Sequence, residues 1–168
     1  MTDSTPVLEM AGICKRFPGV QALDNATLDV IPGEVHVLLG ENGAGKSTLM
    51  KVLCGQYEAD AGEIVFAGRD IAPESPIEAE RLGLVMIHQE LNLLPGLSIA
   101  ENIFLGHEPA RGGLIQADVM RRTAKALLER VQCDLDPDTP VAALSVAEQQ
   151  LVEIARALKE RAGLLVMD

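Results

Sequence analysis

Residues Gly40-Glu41-Asn42-Gly43-Ala44-Gly45-Lys46-Ser47 follow the pattern G-x-x-x-x-G-K-[ST]. Each residue type in it has a physical reason. Glycines let successive backbone N–H groups turn inward as a nest around an anion. A helix that starts at the end of the loop aims its positive pole at the same place. Lys46 sits where an ammonium can reach the outer phosphates of a nucleotide, and Ser47 presents a hydroxyl to a divalent cation. The chemistry this predicts is binding of a nucleoside triphosphate.

A second candidate is Leu144-Ser145-Val146-Ala147-Glu148-Gln149. Ser145 and Glu148 stand three apart before an apolar stripe, the spacing of a capping box. The serine hydroxyl and the free N–H groups of such a helix can bind an anion, or simply cap the helix. A third is Phe17, in Lys15-Arg16-Phe17-Pro18-Gly19-Val20, in a chain with one Tyr, three Phe and no Trp. The ring is either exposed beside a turn or a core residue anchoring the first strand.

These residues need elements to hold them. Residues 7–13 and 22–30 partly alternate and read as strands of a half-exposed sheet. The apolar run 34–39 before the phosphate loop reads as a buried strand containing His36, and residues 46–54 as a helix with Leu49, Val52 and Leu53 on one side. Residues 62–66 predict a strand that enters a turn at Ala67-Gly68. Ser75-Pro76 predicts a short helix to Leu82, stopped by Gly83, with a buried strand at 84–87 after it. Ser98 caps a short helix ending near Gly106. Residues 117–131 carry Met120, Ala124, Leu127, Leu128 and Val131 at helical spacing, and 145–158 carry Leu151, Ile154, Ala155 and Leu158. Residues 164–167 read as a last apolar strand, ending on Asp168. Strands and helices alternate at both ends and helices dominate from roughly 98 to 160, so the chain reads as an α/β core with a helical insertion.

Composition narrows the function class. The chain has 168 residues, with 25 Asp and Glu against 14 Lys and Arg, a net charge of −11. A nucleic-acid binder needs a basic face to displace counterions, and this balance argues against one. Aromatics at 2% leave little to stack bases. No apolar run approaches a membrane span, and the N-terminus lacks the pattern of a signal peptide. Cys14, Cys54 and Cys133 are odd in number and far apart, which points to neither a zinc site nor a disulfide framework. A reducing compartment is the simplest reading.

Taken together, the phosphate loop, Gln89 after the strand at 84–87, Leu144-Ser145-Val146-Ala147-Glu148-Gln149 and Leu164-Leu165-Val166-Met167-Asp168 resemble the ATP-binding cassette (ABC) ATPases along essentially the whole chain. The resemblance implies a P-loop NTPase core with an antiparallel β subdomain and an inserted α-helical subdomain. It divides the chain into residues 1–89 with 162–168 as core and about 90–161 as helical insertion. It implies ATP and Mg²⁺ as ligands. Gly40, Glu41, Asn42, Gly43, Ala44, Gly45, Lys46, Ser47 and Thr48 would hold the nucleotide, and Phe17 would stack on adenine. Ser47, Gln89 and Asp168 would serve the metal. Lys46, Gln89, Asp168 and Ser145 would serve catalysis, Ser145 by meeting the γ-phosphate held by a partner cassette.

The signature departs from the family's LSGGQ, since Val146 and Ala147 stand where glycines usually stand. That departure, with His88-Gln89-Glu90-Leu91-Asn92-Leu93-Leu94-Pro95 and Leu97-Ser98-Ile99-Ala100-Glu101-Asn102-Ile103-Phe104-Leu105-Gly106, resembles the bacterial ribose, galactose and xylose importers. There the chain would be the first of two cassettes in one polypeptide, cut after its Walker B aspartate. Expected partners are that second cassette, transmembrane permease subunits and, indirectly, a periplasmic sugar-binding protein, at the cytoplasmic face of the inner membrane, with no nucleic acid. Leu91, Leu93, Leu94 and Leu97 would either line a groove for a permease helix or pack the helical insertion. The family's general-base glutamate would follow Asp168, so the 168-residue chain is expected to hydrolyse ATP poorly. The strand after Walker B separates it from the phosphate-loop strand in the family, so residues 38–39 and 166–167 are expected to lack a shared neighbour. A non-transport ABC ATPase, of DNA repair or the ribosome, is the other class the motifs allow.

Overall fold

The structure, a computed structural model, describes residues 5–87, 91–159 and 162–167. It forms two compact units, Met1–Leu84 and Val85–Asp168. Among the described residues no helix is long and apolar enough to cross a membrane.

The first unit is built on a hairpin. β1 (Leu8–Phe17) and β2 (Val20–Val30) pair antiparallel, with Phe17 opposite Val20 across Pro18-Gly19. Proline presets the first turn position, and Gly19 takes the positive φ of 79° that the second requires. Both strands run further than the partial alternation suggested, because the apolar pattern fades where the hairpin leaves the core. β1 also pairs with β3 (Ala61–Phe66), which pairs with β4 (Arg69–Asp70), giving the antiparallel order β2-β1-β3-β4. Leu8, Met10 and Ile13 are buried on one face together with Leu23, Leu28, Ile64 and Phe66. α1 (Lys46–Leu53) follows the phosphate loop and buries Leu49, Met50, Val52 and Leu53. α2 (Pro76–Leu82) starts and stops where its sequence signals lie: the Ser75 hydroxyl accepts from the Glu78 amide, and Gly83 closes the helix at φ 94°.

The second unit is mainly helical. β5 (Leu84–Ile87) begins at the unit boundary and shares a two-stranded sheet with β8 (Leu164–Met167). α3 (Ile99–Phe104), α4 (Ala117–Arg130) and α5 (Val146–Lys159) pack around Ile99, Ile103, Ala124, Leu128, Val152 and Ala155, all fully buried, with a 3₁₀ turn, Val141–Ala143, leading into α5. A small hairpin, β6 (Ala110–Arg111) and β7 (Leu114–Ile115), turns at Gly112-Gly113.

One expected element is absent. Residues 34–39 form neither strand nor helix, and Val35, Val37 and Leu39 are 90%, 65% and 88% exposed. A strand exists only as part of a hydrogen-bonded ladder, and no described strand pairs with this run. His36 is therefore an exposed residue and not part of a strand interior. β8 is likewise less buried than its four apolar residues suggested, with only Val166 buried and Met167 65% exposed. Its sheet has two strands among the described residues.

Candidate functional site

The phosphate loop forms as its spacing demands. Gly43 and Gly45 adopt φ of 86° and 84°, and Gly45 serves as the N-cap of α1 with no side chain over the helix end. The Ala44 amide donates to the Glu41 carbonyl, which closes the loop, and the Leu49 amide donates to the Gly45 carbonyl to begin the helix. Lys46 Nζ lies in the concavity, donating to the Gly40 and Glu41 carbonyls at 2.7 and 2.9 Å. A Cβ on Gly40 would lie 3.2 Å from Ala44 Cβ, a tight contact, and 3.9 Å from Lys46 Nζ, an ordinary one. Glu41 to Ala44 are exposed and Lys46, Ser47 and Thr48 half-buried. Two left-handed glycines beside an ammonium are the residue types of an anion-binding loop. Gln89 and Asp168, the other residues expected to serve a metal, lie outside the described residues.

Phe17 lies at the end of β1, half-buried, and is not a core anchor. Its ring meets Tyr57 edge-on at 5.1 Å and 73°, and Lys15 Nζ lies 5.9 Å from its centroid. Tyr57 escaped the sequence reading. A tyrosine four residues beyond the end of α1 gives no local signal of its contact.

In the second unit the capping box at α5 is complete. Glu148 Oε2 accepts from the Ser145 amide and hydroxyl, both at 2.7 Å, and the Glu148 amide donates to Ser145 Oγ at 3.3 Å. The Ser145 hydroxyl, and then its amide, hold the Glu148 carboxyl below its ordinary pKa. A carboxyl with a lower pKa folded than unfolded adds stability above its unfolded value, and loses it as pH falls through the folded value. The thermal midpoint of this unit is expected to fall as pH drops below about 4.3. Glu148→Gln should fall less over the same range. Equal pH dependence of the two melting curves would contradict the box.

The loop at 91–98 is held from two sides. Asn102, fully buried, accepts from the Leu94 amide at 2.7 Å and donates to the Leu94, Leu97 and Ser98 carbonyls at 3.0, 3.3 and 3.0 Å. Glu153, 8% exposed, accepts from the Asn92 amide at 2.7 Å. Sequence reasoning missed both. The signal was available for Asn102, which sits between Ile99 and Ile103 on the buried side of α3, where a polar residue implies a backbone partner. Of the four leucines expected there, Leu93 packs on the helical core and Leu94 is 47% exposed.

The ABC transporter family model matches residues 23–168. The chain belongs to the ABC transporter family. As an ABC transporter chain it is 56% identical over 163 residues to the ribose import ATP-binding protein RbsA 1 of Rubrobacter xylanophilus, covering 97% of this chain and 33% of that protein. It is 55% identical over 168 residues to the ribose import ATP-binding protein RbsA 2 of Burkholderia pseudomallei, covering 97% and 32%. This ABC chain thus spans about a third of the length of these curated relatives. Among solved structures it is similar to the ADP conformation of MJ1267, an ATP-binding cassette of an ABC transporter, at 29% identity and TM-score 0.83 over 98% of this chain and 69% of that one. A nucleotide-free ATP-binding cassette from an ABC transporter superposes at 29% identity and TM-score 0.81 with the same coverage. The fold is therefore the P-loop ABC ATPase fold, with an antiparallel β subdomain and a helical region.

Proposed function

We propose that this chain is nucleotide-binding machinery of an ABC-type sugar importer, binding Mg·ATP at the phosphate loop to drive monosaccharide uptake. The observation that carries the reading is the Lys46 ammonium, seated on the Gly40 and Glu41 carbonyls inside a loop with two positive-φ glycines. Similarity to ribose import proteins supports the substrate class. When ATP enters, Lys46 exchanges carbonyl partners for phosphate oxygens, so the ammonium keeps hydrogen-bond partners throughout. The nest amides and the start of α1 then face the phosphates. Ser47, with Gln89 and Asp168, would hold Mg²⁺, which supplies charge neutralisation on the phosphates. Phe17 would carry the adenine ring. Ser145 would act on ATP bound to a second cassette, once Glu148 releases its hydroxyl. Transmembrane permease subunits and, through them, a periplasmic sugar-binding protein complete the complex at the inner membrane, with Leu94 at the permease contact.

Replacing Lys46 by alanine tests this. A charge-assisted hydrogen bond contributes about 1.5–3 kcal/mol, so ATP affinity should fall roughly tenfold to hundredfold. Calorimetric titration of the chain with Mg·ATP checks it. Unchanged affinity would remove the phosphate loop from the site.

A further inference from the structure

The base-stacking ring sits on a part of the hairpin that the sheet does not hold. Pairing of β1 with β3 ends at Cys14 opposite Ala61, while pairing with β2 continues to Phe17. Lys15, Arg16 and Phe17 therefore lie on a two-stranded ribbon, which is marginally stable by itself. A ring on such a ribbon would be a poor platform unless something else fixed it.

Residues 56–60, the link from α1 to β3, supply the support. The Asp60 amide donates to the Cys14 carbonyl at 2.9 Å, where sheet pairing stops. Its carboxylate reaches one step further: Oδ2 accepts from the Arg16 amide at 2.6 Å, and Oδ1 from Lys15 Nζ at 2.8 Å. The lysine side chain is 15% exposed and the aspartate 45%, so the pair is open to water on the carboxylate side and holds the ribbon through its geometry. The Lys15 ammonium, then the Arg16 amide, keep the Asp60 carboxyl below its ordinary pKa. Tyr57 takes the next position, its ring meeting that of Phe17 at 5.1 Å in the edge-on geometry aromatic pairs prefer.

The same link is anchored to the helix that leaves the phosphate loop. The Gln56 and Tyr57 amides both donate to the Lys51 carbonyl, at 2.8 and 3.2 Å, and Lys51 Nζ lies 5.7 Å from the Tyr57 ring centroid. One continuous path of contacts thus runs from Lys46 and Ser47, at the start of α1, through Lys51 and Tyr57 to Phe17. The hairpin also meets the loop directly: Gly45 lies so close to the Ala22 carbonyl that a Cβ there would be 2.7 Å from its oxygen.

We infer that Tyr57 and Asp60 are positioning residues for the nucleotide base, holding the Phe17 ring at a fixed distance from the phosphate loop so that base and phosphates bind together. This rests on the reading of Phe17 as the ring that carries adenine. A platform already ordered before binding spares the ligand the entropy of ordering it. The gain belongs to ligands that carry a base, and inorganic triphosphate receives none of it.

That asymmetry is the test. Mg·ATP and Mg·triphosphate are titrated into the full chain and into Tyr57→Ala, Tyr57→Phe, Asp60→Asn, Phe17→Ala and Lys46→Ala. For Tyr57→Ala and Asp60→Asn, ATP affinity is expected to fall about threefold to tenfold, while triphosphate affinity holds. Tyr57→Phe keeps the ring edge and should restore ATP binding. Lys46→Ala should weaken both ligands. Equal losses for ATP and triphosphate in Tyr57→Ala and Asp60→Asn, or no loss in either variant, would overturn the positioning role. If Phe17→Ala leaves the ratio of the two affinities unchanged, the base-stacking reading fails first and takes this one with it. A ratio that drops in Phe17→Ala alone overturns the positioning role and leaves the stacking reading standing.

Discussion

Gly45→Ala is expected to abolish measurable ATP binding while Gly43→Ala, two residues away in the same loop, weakens it only modestly. Both glycines have φ near 85°, a region that costs a residue with a Cβ about 1 kcal/mol or more. They differ in what that Cβ would meet. At Gly43 nothing lies within 4 Å, whereas at Gly45 the new atom would stand 2.7 Å from the Ala22 carbonyl oxygen and 2.9 Å from Leu23 Cδ2. A backbone oxygen cannot swing aside like a side-chain tip. Either β2 or the start of α1 must move, and the start of α1 is where the nest amides and Lys46 sit. Calorimetry against Mg·ATP, with circular dichroism to confirm that the helices persist, separates the two variants. Comparable binding by both would mean that the contact with β2 does not set the loop's shape.

The second large effect is expected at Asn102. Its side chain is fully buried and satisfies one amide and three carbonyls of the loop at 94–98. Asn102→Leu keeps similar bulk and removes every one of those bonds. A buried polar group left without a partner costs about 1–3 kcal/mol, and the Leu94 amide loses a 2.7 Å bond. Some carbonyls regain water by moving outward, so the net loss should be about 2–4 kcal/mol. Thermal melting measures it. Hydrogen exchange should place the gain in exchange rate at the Leu94 amide, with α4 much less affected. A loss under 1 kcal/mol, or exchange rising evenly through the unit, would show that the loop holds itself.

The features legible in the sequence were those set by short-range chemistry. Ser75-Pro76 and Gly83 delimit α2, Ser98 caps α3, and Ser145 with Glu148 forms a reciprocal cap in the structure. The phosphate loop belongs with them, since its glycines and lysine act within a few residues. What escaped depends on distant neighbours. Asp60 reaches Lys15 and Arg16 from more than forty residues away, and no local pattern announces that. The hairpin at 110–115 has two residues per strand, too few for alternation to register, though Gly112-Gly113 is a usable turn signal. Residues 34–39 depart from their sequence pattern for the opposite reason. Their apolar pattern is that of a core strand, but a pattern states what a segment can pair with and not whether a partner is alongside.

That uncovered segment has a consequence for handling the protein. Glu34-Val35-His36-Val37-Leu38-Leu39 is rich in β-branched and aliphatic residues, lacks proline and carries little charge. Short stretches of that kind stack with copies of themselves into cross-β aggregates when exposed. Here the stretch runs straight into Gly40, so a growing aggregate would draw the phosphate loop in with it. In a concentrated stock, nucleotide-binding capacity should therefore disappear as turbidity rises, while the helical circular dichroism of α4 and α5 persists, and storage losses would mimic a binding defect in protein whose helices are still intact.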